Sequence, residues 1–438
     1  MNNLSKQFFR LGSVTLLGAL LAVTPFTTFA AKEIRIGIIY DLTGPLAGAG
    51  SVPASIGTQI AIDMVNEKGG VLGEYKIVPI KGDAQSKPDV AINEAERLIN
   101  LEKVDILAGI YSSAQAVPLS GKLNAMKKFF WINVAISSAV FKNKNLRYVF
   151  RPQVHSDQFG QTSLDFLAEY AQKKLGMKPS DIRVAIIHED GPYGSGVASS
   201  NKIGALSHGM KIVHEEGYSL TTPDLSSMVI KLKRARPDVI LHTGYNPDIT
   251  LFLRQAKELG LRFKVLIGHG AGYGQIDKLV EAFGTDVDYI FNVDPVAAQL
   301  LDAKTLKPGI GDLTKEMVRR YKKITGAKEV PPHTSMGFNH TWVLLNNVIP
   351  VAIQKYGGFD SESLRKAALD LDIPVGGTIQ GYGIKFARPG HKMAGQNLRA
   401  SPVVMQYVGG KTYIAYPTAL QNIDPVLPLP ASSPYAAR

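Results

Sequence analysis

The chain has 438 residues, a formal charge of +12 and no cysteine. That length suits two domains with cores large enough to fold without covalent staples. The lack of cysteine excludes disulfides, thiolate metal sites, a cysteine nucleophile and a lipid anchor on an N-terminal cysteine. Lys6 and Arg10 precede an apolar run of 13 residues, 11–23, and a small polar exit ending in Thr28-Phe29-Ala30. This is the pattern of a secretory signal peptide, 1–30, too short in its apolar core to favour a membrane span, and it predicts export with cleavage after Ala30. No later stretch approaches the ~20 apolar residues of a spanning helix.

Residues 34–40, IRIGIIY, form a predicted strand, followed by the loop Asp41-Leu42-Thr43-Gly44-Pro45-Leu46. A helix over 56–68 stops at Gly69-Gly70, and a strand at 75–80 leads to a helix at 88–100. The short apolar run Ile106-Leu107-Ala108, bounded by Gly109, reads as a buried parallel strand. It delivers Tyr111, Ser112 and Ser113 to a helix over 114–126, with Pro118 tolerated near its start. A strand at 129–134 ends at Ala135-Ile136-Ser137-Ser138. Strands alternating with helices of this length predict an α/β protein with a doubly wound parallel sheet.

A second run of the same kind follows. Helix 159–175 and strand 183–187 lead to His188-Glu189-Asp190-Gly191-Pro192-Tyr193-Gly194-Ser195-Gly196, then helix 197–208, strand 211–218 and helix 225–235. Strand 239–242 ends at Thr243-Gly244-Tyr245-Asn246-Pro247. Helix 249–259 and strand 265–268 then lead to His269-Gly270-Ala271-Gly272-Tyr273-Gly274. Helices are predicted over 313–325, 334–355 and 361–369, and strands over 384–386, 402–407 and 412–415, the last two joined by a turn at Gly409-Gly410. The densest basic cluster, Arg319-Arg320-Tyr321-Lys322-Lys323, falls on an amphipathic helix, where a solvated face explains it; no pattern points to nucleic acid. Beyond Pro417 the chain carries Pro425, Pro428, Pro430 and Pro434 and reads as an extended, mobile tail.

Polar and aromatic groups recur where strands end: Ser112 and Ser113, Ser137 and Ser138, Tyr193, Tyr245, and the 269–274 loop. In open α/β sheets ligands sit outside the carboxyl ends of the strands. A helix N-terminus with free N–H groups suits an anion, and tyrosines supply apolar walls with a polar tip. The competing reading is that Ser112 or Ser113 only caps its helix. Enzyme chemistry finds less support. Neighbouring residues of His188-Glu189-Asp190 point to opposite faces of a strand and do not converge. Gly270-x-Gly272-x-Gly274 is not the dinucleotide fingerprint, and no nucleophile elbow or Walker loop is present.

Several stretches together resemble the leucine–isoleucine–valine-binding family, the type I periplasmic solute-binding proteins of ABC importers. They are the signal peptide, Ile-Gly-Ile-Ile-Tyr-Asp-Leu-Thr-Gly-Pro-Leu-Ala, the Asp63-x-x-Asn66-x-x-Gly69-Gly70-Val71-Leu72-Gly73 run, Tyr193-Gly194-x-Gly196, Leu253-Arg254-Gln255-Ala256 and Leu259-Gly260-Leu261. The resemblance covers the chain except the tail. It implies a periplasmic, monomeric, non-enzymatic protein without cofactor or metal. Its two lobes, joined by three crossovers, would close on a small molecule and hand it to a membrane permease. Carried onto this chain, one lobe is 31–153 plus 295–397, the other 154–294 plus 398–417, with 418–438 as tail. The implied ligand contacts are Ser112 and Ser113 with neighbouring Tyr111, Ala135 and Ser137, and, from the second lobe, Tyr193 and Tyr245. A sensory module signalling to a membrane receptor is the alternative on the same fold.

One departure bears on the ligand. Where amino-acid binders of this family meet an ammonium group with acids, this chain has Ser156 and Gly270, with Asp157 adjacent. A buried ammonium without a partner costs several kcal/mol. The expected ligand is therefore a carboxylate or an amide rather than an α-amino acid, with Tyr111, Tyr193, Tyr245 and Tyr273 around its body.

Overall fold

The computed structural model describes residues 32–437; the signal-peptide reading lies outside them. Strand β1 (Lys32–Tyr40) carries Ile34, Ile36 and Ile38 on one face and Ile39 on the other, all buried. A strand apolar on both faces belongs inside a parallel sheet covered by helices. It pairs in parallel with β2 (Tyr75–Asp83) and β3 (Ile106–Gly109), and β4 (Phe130–Ile132) and β5 (Val149–Phe150) extend the sheet in the order β2-β1-β3-β4-β5. Helices α1 (Val52–Asn66), α2 (Pro88–Asn100) and α3 (Ser113–Ala125) are its crossovers.

The chain then passes through α4 (Ser156–Tyr170) into a second sheet. Its parallel part is β6 (Arg183–Glu189), β7 (Lys211–Tyr218), β8 (Val239–Thr243), β9 (Val265–His269) and β10 (Phe291–Asp294). These alternate with α5 (Pro192–Ser207), α6 (Ser226–Ala235), α7 (Asn246–Glu258) and α8 (Ile276–Phe283). After β10 the chain returns to the first sheet with α9 (Ile310–Thr325), α10 (Pro332–Val343), α11 (Ile349–Tyr356) and α12 (Ser361–Asp370). Helix α10 packs on α1, and the Trp131 indole donates to the His340 carbonyl at 2.9 Å, fixing α10 under β4. The last crossing brings the antiparallel pair β11 (Val403–Val408) and β12 (Lys411–Tyr416) to the edge of the second sheet, ordered β12-β11-β10-β9-β8-β6-β7. The chain thus passes between the sheets three times. Among the described residues no helix is long and apolar enough to cross a membrane.

Four local expectations need correction. Residues 384–386 form only isolated pairings, Ile384 with Ile373 and Phe386 with Asn397, instead of a sheet strand. Helix α5 starts at Pro192, not at residue 197. The Glu189 carboxylate accepts the N–H groups of Gly191 (2.6 Å) and Gly194 (2.5 Å), a cap supplied from the preceding strand. Strands β5 and β10 and helix α8 were not anticipated. The tail is not loose: Tyr435 is fully buried, stacks on Phe263 with centroids 5.6 Å apart and donates to the Leu253 carbonyl at 3.0 Å. Leu427 and Leu429 are buried as well, so the extended segment straps the second sheet.

Candidate functional site

The strand ends of the two sheets face one another. On the first side β3 ends at Gly109, and Ser112 takes the N-cap position of α3 with extended backbone. Its side chain makes no cap hydrogen bond. The capping reading of Ser112 is therefore not what the structure holds. Ser113 accepts the Ser137 N–H at 3.1 Å, which locks the loop after β4 to the loop after β3. Arg151, fully buried at the first crossing, fixes the same loop. Its guanidinium donates to the carbonyls of Ala135 (3.0 Å) and Ser137 (2.9 Å) and to the Gln396 side chain (2.7 Å). Burial lowers its pKa to about 9.

On the second side Tyr193, in the first turn of α5, donates to the His269 carbonyl. Tyr245 immediately precedes α7, and its N–H donates to Asp248 Oδ1 at 2.9 Å. The rings form a continuous wall across the cleft. Tyr193 and Tyr245 have centroids 5.2 Å apart, Tyr245 and Tyr111 5.8 Å, and Tyr111 and His333 5.5 Å. Tilted and edge-on contacts at these distances are favourable aromatic geometries. Tyr273 is not part of this wall: its hydroxyl turns into the second lobe's core, 2.7 Å from His242 Nδ1. His242 Nε2 is in turn 2.7 Å from the Tyr218 hydroxyl, which donates to Asp248 Oδ2 at 2.6 Å. Burial holds His242 neutral, with a pKa lowered to about 3, and raises Asp248 to about 7.

Between the two sides lies a cavity of about 30 Å³. By the same measure one water needs roughly 10–15 Å³, so the space suits a group of a few heavy atoms. Of the residues expected from sequence, Tyr111, Ser113, Tyr193, Tyr245 and Gly270 line it. Ser137 and Ser156 border a separate, open groove at the mouth, together with Asp157. Ser156 Oγ is engaged with Ser138 (3.0 Å) and Asp157 (3.3 Å), and Ala135 has its N–H on Ile110 and its carbonyl on Arg151.

The cavity also contains residues that sequence reasoning missed, chiefly Asp294 and His333. His333 accepts from the Gln275 amide at 3.0 Å and is held neutral by burial, its pKa lowered to about 3. Asp294 ends β10 and is 2% exposed; among the described residues its Oδ2 has no hydrogen-bond partner. Burial raises its carboxyl well above the ordinary range. Two glycines leave it room. A Cβ on Gly274 would lie 2.9 Å from Asp294 Oδ2, and one on Gly270, where φ is +43°, 3.3 Å from Oδ1. Among the described residues no lysine or arginine lines the cavity. The expectation of a site without an acid is therefore corrected by Asp294, at the end of β10. The signal available in sequence was Phe-Asn-Val-Asp itself, a polar residue ending a short apolar run. Among the described residues no group of three acids and histidines could hold a metal.

A family model described as periplasmic binding protein matches residues 33–403. Leu/Ile/Val-binding protein homolog 7 of Brucella abortus is 34% identical over 391 residues, covering 89% of this chain and 93% of that protein. Among solved structures, a leucine binding protein of Thermotoga maritima matches with a TM-score of 0.71 at 23% identity, covering 87% of this chain and 97% of that one. A solute binding protein of R. palustris in complex with 4-hydroxybenzoate matches at 0.69 and 20% identity, over 87% of this chain and 95% of that one. Such proteins bind solutes and are not enzymes, and their fold is the two-lobed type I fold seen here. The chain belongs to the Leu/Ile/Val-binding family of periplasmic binding proteins.

Proposed function

We propose that the chain is the periplasmic solute-binding subunit of an ABC importer, working as a monomer. It captures a small organic solute bearing a carboxylate or an amide and presents it to a membrane permease. The lobes are 31–153 plus 295–397 and 154–294 plus 398–417, hinged at the three crossings. The observation that carries this reading is the cavity between strand ends, walled by Tyr111 and His333 from one side and Tyr193 and Tyr245 from the other. The α3 N-terminus, with no side-chain cap, offers N–H groups and the positive end of its dipole to an anion, with the hydroxyls of Ser112 and Ser113 beside it. Leucine and 4-hydroxybenzoate, named for two structural neighbours, have a carboxylate in common. A solute touching both walls stabilises the closed arrangement by its extra contacts there, and release follows reopening.

The test is a thermal-shift panel on the purified protein with aliphatic acids, aromatic acids, amino acids, amides and urea. A ligand at about 1,000 times its Kd stabilises the bound state by roughly 4 kcal/mol, a readily visible shift. A panel without any shift contradicts the reading.

A further inference from the structure

Behind the second lobe's side of the cleft runs a chain of four buried side chains that ends on the backbone of Tyr245. The Tyr273 hydroxyl lies 2.7 Å from His242 Nδ1, and His242 Nε2 lies 2.7 Å from the Tyr218 hydroxyl. Tyr218 donates to Asp248 Oδ2 at 2.6 Å, and Asp248 Oδ1 accepts the Tyr245 N–H at 2.9 Å. The order of the protons follows from the number each group carries. The single Tyr218 proton goes to Asp248, so His242 donates to Tyr218 from Nε2. Burial holds His242 neutral, with a pKa lowered to about 3, so its Nδ1 is bare and accepts from Tyr273. Burial raises both phenols well above their ordinary range, so they keep their protons. Every donor in the chain therefore points toward the Asp248 carboxylate. A Cβ on Gly244 would collide with both that carboxylate and the Tyr218 hydroxyl, so the glycine before Tyr245 makes room for their contact.

We propose that Asp248 is a positioning residue for solute binding: its carboxylate holds the Tyr245 N–H and so the Tyr245 ring in the cavity wall, and a proton taken up by Asp248 loosens that ring and weakens capture. The inference rests on the solute-binding reading above and adds a pH dependence to it. A proton on Asp248 belongs on Oδ2, because Oδ1 faces the Tyr245 N–H. On Oδ2 it meets the Tyr218 donor head-on unless the chain reverses. In the reversed chain Tyr218 donates to His242 Nε2 and Nδ1–H donates to Tyr273, whose own O–H is left without an acceptor among the described residues. The Tyr245 N–H also exchanges a charged acceptor for a neutral one, about half as strong. Burial, together with the like charge of Glu189 at the end of β6, raises the Asp248 carboxyl to about 7, against the lowering by Tyr218 and by the N–H groups of Tyr245 and of Asp248 itself. The other titratable groups facing it, Tyr245 and, across the cleft, Tyr111, are phenols that burial keeps protonated, so no cation holds the carboxylate charged. A solute packed on the Tyr245 ring favours the carboxylate form. Capture then releases a proton near neutral pH, and affinity falls as pH falls.

The test measures dissociation constants by calorimetry at pH 6, 7 and 8, in two buffers of different ionisation enthalpy so that released protons are counted. The probes are L-leucine, 4-hydroxybenzoate, butyrate and isobutyramide, none of which changes charge appreciably in this range, and the tightest binder is carried through. The wild-type protein is expected to bind it about five- to tenfold more weakly at pH 6 than at pH 8, with release of up to one proton. Asp248→Asn, neutral at every pH, is expected to bind no more tightly than the wild type does at pH 6, and to release no proton. Tyr218→Phe takes a donor from the carboxylate and is expected to move the midpoint of the wild-type profile to higher pH. A cap with a structural role alone would give both variants a loss of affinity uniform in pH. A wild-type affinity that is flat from pH 6 to 8, a pH dependence that persists in Asp248→Asn, or an unmoved midpoint in Tyr218→Phe overturns the positioning role and leaves the solute-binding reading standing. If Asp248→Asn does not fold, the wild-type proton count and the Tyr218→Phe midpoint decide. If none of the four probes binds at any pH, the positioning role falls together with the solute-binding reading.

Discussion

Tyr111 and Tyr245 meet across the cleft with ring centroids 5.8 Å apart, one ring delivered by the end of the first sheet and the other by the end of the second. Neither sheet could place both. Both rings are buried, and the contact joins one side of the cleft to the other.

Tyr245→Ala should therefore weaken solute binding with little effect on folding of the second lobe. The lost ring contact and walling surface amount to about 1.5–3 kcal/mol, or roughly 10- to 100-fold in Kd. Calorimetry with the strongest binder from the thermal-shift panel, alongside urea unfolding of the unliganded protein, separates the two effects.

Arg151 holds the carbonyls of Ala135 and Ser137 from a fully buried position, with its guanidinium 5.1 Å from the Phe141 ring. Arg151→Met would leave those carbonyls and the Gln396 amide oxygen without their donor. The expected loss is about 3 kcal/mol in urea unfolding, together with weaker solute binding, because the loop after β4 loses its anchor.

His340 provides a pH signature. Its Nδ1 lies 2.6 Å from the Asn133 carbonyl oxygen, and burial lowers its pKa to about 3. A histidine depressed in the folded state contributes stability that is fully present above its unfolded pKa of about 6.5 and lost as pH falls toward the folded value. The destabilisation caused by His340→Asn should therefore be smaller at pH 5 than at pH 7.5, by about 2 kcal/mol. Urea unfolding of both proteins at the two pH values measures this.

Tyr435→Ala should destabilise the protein by about 3 kcal/mol, in line with removing a large buried aromatic side chain. The effect should appear in unfolding and leave solute affinity near the wild-type value, because Tyr435 packs on Phe263, bonds to the Leu253 carbonyl and does not line the cavity.

The alternation of elements was readable in the chain, and in favourable cases so were their bounds. Helix α2 spans Pro88–Asn100 and β7 spans Lys211–Tyr218, as the patterns predict, because proline at the helix start and the flanking turn residues mark both ends locally. The strand-end rule also picked out Tyr111, Ser113, Tyr193, Tyr245 and Gly270, which line a single cavity. What could not be read depends on distant groups. The start of α5 depends on the Glu189 carboxylate, since Gly194 and Gly196 argue locally against a helix. The tail's prolines correctly read as extended chain, but its docking depends on a socket formed by Phe263 and Leu253. Strand β10 was hidden because Asn292 and Asp294 interrupt its apolar pattern, and with it the acid in the cavity was missed.

The central claim is that two lobes close over a small solute, and small-angle X-ray scattering with and without the strongest binder of the panel tests it most directly. The account predicts that the radius of gyration falls on addition of that solute and that Tyr245→Ala needs more solute for the same contraction. Binding with an unchanged radius of gyration, starting from a protein already as compact as the structure described here, would contradict closure as the means of capture.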